Sequence, residues 1–210
     1  MCVNRKGCAS LKVLGVTGGT GAGKTEVCRI LQEQGGKIID ADCITRKLQE
    51  QGQPVYLEIV SYFGTEILKE DGALDRKKLG AIVFGDQKKL AALNQIVHKR
   101  VSEEIKKQVE AYRREGTVPF VVLDVPIPVE EGFFDTADRI WAVIANDDLR
   151  IRRLCRRMGL TEEEAERRIA AQMTNREYEA IADVPIENES GQEELRKLVL
   201  LELKRFLAAL

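Results

Sequence analysis

Histidine is nearly absent from this chain: His98 is the one example among 210 residues. Alone and without an activating partner, it reads as a hydrogen-bonding structural residue rather than a catalyst. The five cysteines, Cys2, Cys8, Cys28, Cys43 and Cys155, are odd in number and scattered, with no C-x-x-C pair. That argues against a disulfide framework or a zinc site and for a reducing compartment. No apolar run reaches membrane-spanning length, and Met1 to Ser10 lacks the apolar segment of a secretory signal. The expected location is therefore the cytoplasm, with no membrane partner. Neither sign of charge prevails: 33 Lys and Arg face 34 Asp and Glu. A nucleic-acid partner is not expected from such a balance, and any basic patch must be local.

What is present is sized for one domain, or one domain with a modest insertion. A chain of this length buries about 70% of its unfolded surface, so it needs neither disulfides nor metals to hold together. Residues 1–10 read as a flexible lead-in, and 11–210 as a single domain.

The strongest local signal is Gly18-Gly19-Thr20-Gly21-Ala22-Gly23-Lys24-Thr25, which satisfies G-x-x-x-x-G-K-[ST]. An apolar run, Leu11 to Val16, precedes it and a helix-like stretch from Thr25 to Leu31 follows. Strand, glycine loop and helix is the context that gives the pattern meaning. Glycines let backbone N–H groups approach a polyphosphate, and the helix N-terminus adds partial positive charge. Nucleotide contacts are expected from Gly19 through Thr25 with the adjoining Glu26. Lys24 is expected on the β- and γ-phosphates, and the Thr25 hydroxyl on Mg²⁺.

Short β-rich runs at 11–16, 37–39, 119–123, 139–144 and 183–186 alternate with helical stretches at 24–34, 42–51, 55–63, 76–84, 88–115, 147–158, 162–173 and 192–210. The third run, Pro-Phe-Val-Val-Leu, lacks polar alternation, as in a strand covered on both faces. Trp141 reads as packing. This alternation predicts an α/β fold of the P-loop NTPase type: a five-stranded parallel sheet with helices on both faces. Ligands then gather at the strands' C-terminal rim. Residues 42–116 contain no convincing strand and should form a helical lobe over that rim. Residues 147–173 read as a helical hairpin broken near Gly159, with Thr161 as N-cap before an acidic turn.

Three clusters carry chemistry. Asp40-Ala41-Asp42 ends the second strand, and its carboxylates should divide, one towards the phosphates and one onto a neighbouring helix or cap. An acceptor hydroxyl attacking a γ-phosphate needs such a group to orient it and take its proton. Asp124, at the end of the third strand, is placed to hold Mg²⁺ through water. Val125 follows it rather than a second acid, against a motor-type ATPase. Arg150, Arg153 and Arg157 share one helical face, and Arg152 with Arg156 makes a second stripe. Crowded cations suit a mobile lid closing onto a transferring phosphoryl group; the alternative is a solvated face paired with Glu162, Glu163, Glu164 and Glu166. The turn after the last strand, Val184 to Gly191, can hold a base.

Together these residues resemble the dephospho-coenzyme A kinase family. The matching pieces run from Thr17 to Thr25 and through Asp40-Ala41-Asp42 with Arg46. Phe63-Gly64, Asp71-Gly72-Ala73-Leu74-Asp75-Arg76 and Leu93-Asn94-Gln95-Ile96-Val97-His98 continue them. Asp124-Val125-Pro126-Ile127, Arg153, Arg157, Gln172, and Ala182-Asp183 with Ile186 and Asn188 complete the series. The resemblance implies transfer of the ATP γ-phosphoryl group to the ribose 3′-hydroxyl of dephospho-coenzyme A. It implies Asp42 as base, with Lys24 and Arg157 also catalytic. Acceptor contacts would come from Asp42, Arg46, Arg76, His98, Pro126 and Ile127, with 42–116 the acceptor lobe and 147–173 the lid. ATP would further meet Arg153, Arg157 and Asn188. The implied partners are ATP and dephospho-coenzyme A, for a monomer or weak homo-oligomer.

Three positions depart from the family pattern: Lys99 where proline is usual, Pro128 where leucine is usual, and Tyr178, near which a basic residue is common. Two other readings share the loop. A shikimate- or gluconate-type kinase is disfavoured by the long helical segment, which suits a bulkier acceptor. A guanine-reading switch is disfavoured because Asn146-Asp147-Asp148-Leu149 lacks the lysine and spaced acid of N-K-x-D.

Overall fold

All five apolar runs become strands of one parallel sheet in the computed structural model, which describes residues 11–209. They are β1 (Lys12–Thr17), β2 (Lys37–Asp40), β3 (Phe120–Asp124), β4 (Arg139–Ile144) and β5 (Val184–Glu187), in the order β2-β3-β1-β4-β5. The chain winds from β1 towards β2 and later crosses to β4, so the loop after β1 sits where the winding reverses. That crevice is where open α/β sheets bind ligands.

Residue alternation explains why both sheet faces are covered. Leu14, Val16, Val122, Trp141, Val143 and Ile186 bury against α1 (Lys24–Glu33) and α9 (Gln192–Ala208). Val13, Ile39, Val121, Leu123 and Ile140 point the other way, onto α2 (Ala41–Leu48) and α5 (Gln87–Glu115). Four strands run one residue further towards the rim than the apolar pattern suggests, ending at Thr17, Asp40, Asp124 and Glu187. Backbone pairing continues after hydrophobicity stops, and this delivers polar side chains to the rim. Register sets Asp124 beside both Val16 and Asp40.

The segment after β2 is helical as expected. It comprises α2, α3 (Pro54–Phe63), a 3₁₀ turn (Thr65–Ile67), α4 (Arg76–Phe84) and α5. An isolated antiparallel bridge, Leu68 to Leu74, is its sole β feature among the described residues. The lobe has its own core of Val55, Tyr56, Ile59, Phe63, Ile67, Leu74, Leu79 and Val83. The 29-residue helix α5 joins the two bodies: Leu93, Ile96 and Val97 pack in the lobe, while Val101, Ile105 and Val109 pack on the sheet.

The hairpin consists of α6 (Asp147–Met158) and α7 (Glu162–Ala170). Gly159 ends α6 in the left-handed region at φ 67°, and Thr161 with Glu164 forms a capping box. Leu154, Ala165 and Ile169 close it with a small core. The second helix stops at Ala170 rather than 173, and a separate short helix, α8 (Asn175–Ile181), follows. Thr174 and Glu177 cap α8, and Tyr178 is buried on Ala142 and Ile144. No described helix is long and apolar enough to cross a membrane. Cys28, Cys43 and Cys155 are free thiols, and burial pushes Cys28 up from its ordinary range. The lead-in 1–10, with Cys2 and Cys8, lies outside the described residues.

Candidate active site

The loop between β1 and α1 is held from outside by side chains. Gly23 caps α1 at φ 106°, a conformation that L side chains rarely adopt. A Cβ there would also collide with Asn188 Nδ2. Asn188 is buried, and its Nδ2 donates to the Ala22 carbonyl at 2.8 Å. Arg153 donates through Nη1 to the carbonyls of Gly21 (3.3 Å) and Ala22 (3.2 Å), and through Nη2 to the Asn188 carbonyl (2.9 Å). Arg150 Nε donates to the Thr20 carbonyl at 2.9 Å, while the Thr20 N–H donates to Gln172 Oε1 at 2.7 Å. The Lys24 and Thr25 N–H groups precede the first bond of α1, which the Glu26 N–H donates to the Gly23 carbonyl at 2.9 Å, and have no helical carbonyl to bond. Lys24 pairs with Asp124, their side chains 17% and 16% exposed.

These elements wall a cleft of about 940 Å³. Gly18 to Gly21, Gly23 to Glu26, Asp42, Pro126 and Asn188 line it, together with Arg152, Arg153, Arg156 and Arg157. A second, largely apolar cavity of about 210 Å³ adjoins it. Its walls include Ala41, Asp42, Thr45, His98, Val101, Ile105, Pro126, Ile127 and Phe133. Asp42 and Pro126 belong to both.

The carboxylates of Asp40-Ala41-Asp42 do divide, and helix geometry is the cause. Helix α2 begins at Ala41, so Asp40 is its N-cap and accepts from the Cys43 N–H at 2.8 Å, while Asp42 lies exposed in the first turn. Asp40→Ala is expected to cost about 1 kcal/mol of stability in urea denaturation, the usual scale for a lost cap. Substrate turnover should fall much less than for Asp42 variants.

The arginine-rich helix departs from a uniform lid. Arg150 is 1% exposed, and Arg153 is bonded to loop and Asn188 carbonyls, so the first two turns of α6 are bolted to the phosphate loop. Arg152, Arg156 and Arg157 are exposed to the cleft, with no hydrogen bond or ion pair to other described residues. Glu162, Glu163, Glu164 and Glu166 do not pair with them; Glu164 is used in the cap of α7. Helical spacing places Arg150, Arg153 and Arg157 on one face correctly, but the first two meet protein and the third meets open space.

Other expected contacts separate by position. His98, Pro126 and Ile127 line the apolar cavity. Partial burial holds the His98 imidazole below its ordinary range, favouring the neutral ring. Arg46 donates from Nε to the Asp42 carbonyl at 3.2 Å but lines neither cavity. Arg76 opens α4, is exposed, and also lines neither. Two features escape a reading of motifs. Val101, Ser102 and Ile105 share a wall with His98, and their i, i+3, i+4, i+7 spacing on α5 was visible in sequence. Tyr178 reaches the Pro126 carbonyl at 3.4 Å from α8, a contact with no local signal.

The family model described as dephospho-CoA kinase matches residues 12–194, spanning the loop, both cavities and the hairpin. The chain belongs to the dephospho-CoA kinase family. It is 44% identical over 180 residues to the dephospho-CoA kinase of Shouchella clausii, covering 86% of this chain and 91% of that one. It is 41% identical over 196 residues to that of Carboxydothermus hydrogenoformans, covering 93% and 95%. Its fold superposes on the crystal structure of TT1252 from Thermus thermophilus with a TM-score of 0.79 at 28% identity, covering 94% and 98%. It is an ATP-dependent kinase of the P-loop fold, and the expected architecture of parallel sheet, flanking helices and phosphate loop holds.

Proposed function

We propose that this kinase transfers the γ-phosphoryl group of ATP to the ribose 3′-hydroxyl of dephospho-coenzyme A through a base at Asp42. The observation that carries the reading is Asp42's place in the wall shared by the nucleotide-sized cleft and the apolar cavity. An acceptor lodging one apolar portion between α5 and the loop after β3 would bring its sugar alcohol to that carboxylate. The alcohol oxygen then bonds to the γ-phosphorus, the bond to the β-phosphate oxygen breaks, ADP leaves, and the alcohol proton passes to Asp42. Residues 42–116 serve as acceptor lobe in this proposal, and the far part of the 147–173 hairpin as lid.

Lys24, carried at the first turn of α1, neutralises the β- and γ-oxygens, and Arg157 the charge that develops in transfer. Thr25 and Asp124 offer hard oxygen donors, while no described group of three or more acidic, His or Cys side chains could hold a metal alone. That sparse set fits Mg²⁺, which keeps waters and takes substrate phosphates rather than a full protein cage. Thr25 would bind it directly and Asp124 through water, and the ion would supply charge neutralisation along the triphosphate. A cytoplasmic location is proposed from the unpaired thiols Cys28, Cys43 and Cys155. The assembly proposed is a monomer or weak homo-oligomer.

The test is ADP release from ATP and Mg²⁺ with dephospho-coenzyme A, shikimate, gluconate or no acceptor. Dephospho-coenzyme A alone is expected to turn over, with the product gaining one phosphoryl group by mass spectrometry. Equal turnover of shikimate or gluconate, or none above the acceptor-free rate, refutes the assignment.

A further inference from the structure

Arg150 is a charged side chain buried to 1% exposure behind the phosphate loop. Its guanidinium makes one bond to the Thr20 carbonyl (2.9 Å, from Nε) and one to Asp147 Oδ1 (2.9 Å, from Nη1). The remaining nitrogen, Nη2, is buried without a hydrogen-bond partner. A buried guanidinium with an unsatisfied donor is costly, so its presence calls for a compensating role. The loop folds directly onto this residue. A Cβ built on Gly19 would collide with Arg150 Nη2 and stand 3.0 Å from its guanidinium carbon, and one on Gly21 would stand 3.0 Å from the Arg150 carbonyl.

Position 19 is an unrestricted x in the G-x-x-x-x-G-K-[ST] pattern. Gly19 is also absent from the loop glycines with positive φ, so its backbone would admit alanine. What a side chain there would meet is the Arg150 guanidinium, which would have to give way. The Thr20 peptide is meanwhile gripped at both ends, its carbonyl by Arg150 and its N–H by Gln172.

We propose that Arg150 is a positioning residue for nucleotide binding: its guanidinium fixes the Thr20 peptide and fills the space beside Gly19, so the two positions form a matched pair. Arg150 does not line the cleft and acts on the phosphates through the loop it holds. It is thus distinct from Arg157, which faces the cleft. The inference rests on nucleotide occupying this loop, and is independent of which alcohol receives the phosphoryl group.

The experiment measures ATP affinity by calorimetry, and kcat with the acceptor KM by coupled assay. The proteins are the parent, Arg150→Met, Arg150→Lys, Gly19→Ala, and Gly19→Ala combined with each Arg150 variant. Arg150→Met should weaken ATP binding roughly 10- to 100-fold, the scale of losing a hydrogen bond to a charged group. The acceptor KM should move less than about twofold, a split that general destabilisation would not produce. Arg150→Lys, which can still reach the Thr20 carbonyl, should recover part of the loss. Gly19→Ala should weaken ATP binding in the parent yet add less than about twofold when combined with Arg150→Met or Arg150→Lys, because Nη2 is gone. Should Arg150→Met not fold, the Arg150→Lys pair decides by the same non-additivity. Unchanged ATP affinity in Arg150→Met, or a full additive cost of Gly19→Ala in both backgrounds, overturns the proposal. A parent that binds no ATP overturns both this and the function proposed above, whereas a parent that binds ATP with indifferent variants overturns this alone.

Discussion

Asp42→Asn is expected to lower kcat by about two orders of magnitude or more while ATP affinity stays near the parental value, the usual scale for removing a general base. The amide is nearly isosteric with the carboxylate, so the exposed first turn of α2 should form unchanged. An amide still accepts a hydrogen bond from the alcohol but cannot take its proton, so orientation survives and proton removal does not. Stability in urea should match the parent, because Asp40 and not Asp42 caps the helix. The measurements are single-turnover phosphoryl transfer and calorimetric ATP titration. Full turnover in the variant removes Asp42 as base; equal loss of ATP binding and turnover makes it a nucleotide-binding residue instead.

Arg157→Ala should slow phosphoryl transfer by about two to three orders of magnitude, within reach of what an arginine contributes when it meets transferring phosphoryl charge. ATP binding should weaken far less, since the interaction strengthens as charge develops on the γ-phosphoryl oxygens. Arg157 has the freedom for this role: it is exposed to the cleft and bonded to no other described side chain. It also lies one turn past Arg153, where α6 is no longer tied to the loop. Closure would therefore bend the hairpin beyond Arg153. Arg157→Lys should restore only part of the rate, because an ammonium lacks the planar fork that meets two oxygens at once. Parallel losses in ATP affinity and rate would reassign Arg157 to ground-state binding.

The phosphate loop was legible in sequence because its parts are neighbours: glycines, lysine and threonine within eight residues, flanked by a strand and a helix. The rim carboxylates were legible because a strand's last residue is fixed once the apolar run is found. The arginine helix shows where such reading stops. Spacing groups Arg150, Arg153 and Arg157 on one face, but Arg150 and Arg153 meet carbonyls of residues 20–22, well over a hundred positions earlier, while Arg157 meets open space. The short helix α8 escaped for a related reason. Its seven residues offer only Tyr178 and Ile181 as spaced large apolar side chains, and it forms against a sheet that the local sequence does not contain.

Sequence by itself determined the alternation of strands and helices, the nucleotide loop, the helical lobe and the pair of acids after β2, because each depends on periodicity or on residues in immediate succession. Tertiary structure alone decided which acid caps and which faces the cleft, which arginines are bolts and which meet the open cleft, and that two cavities share Asp42. Those outcomes depend on which surfaces meet across long stretches of chain, and burial and unpaired charge can be judged only once they have met.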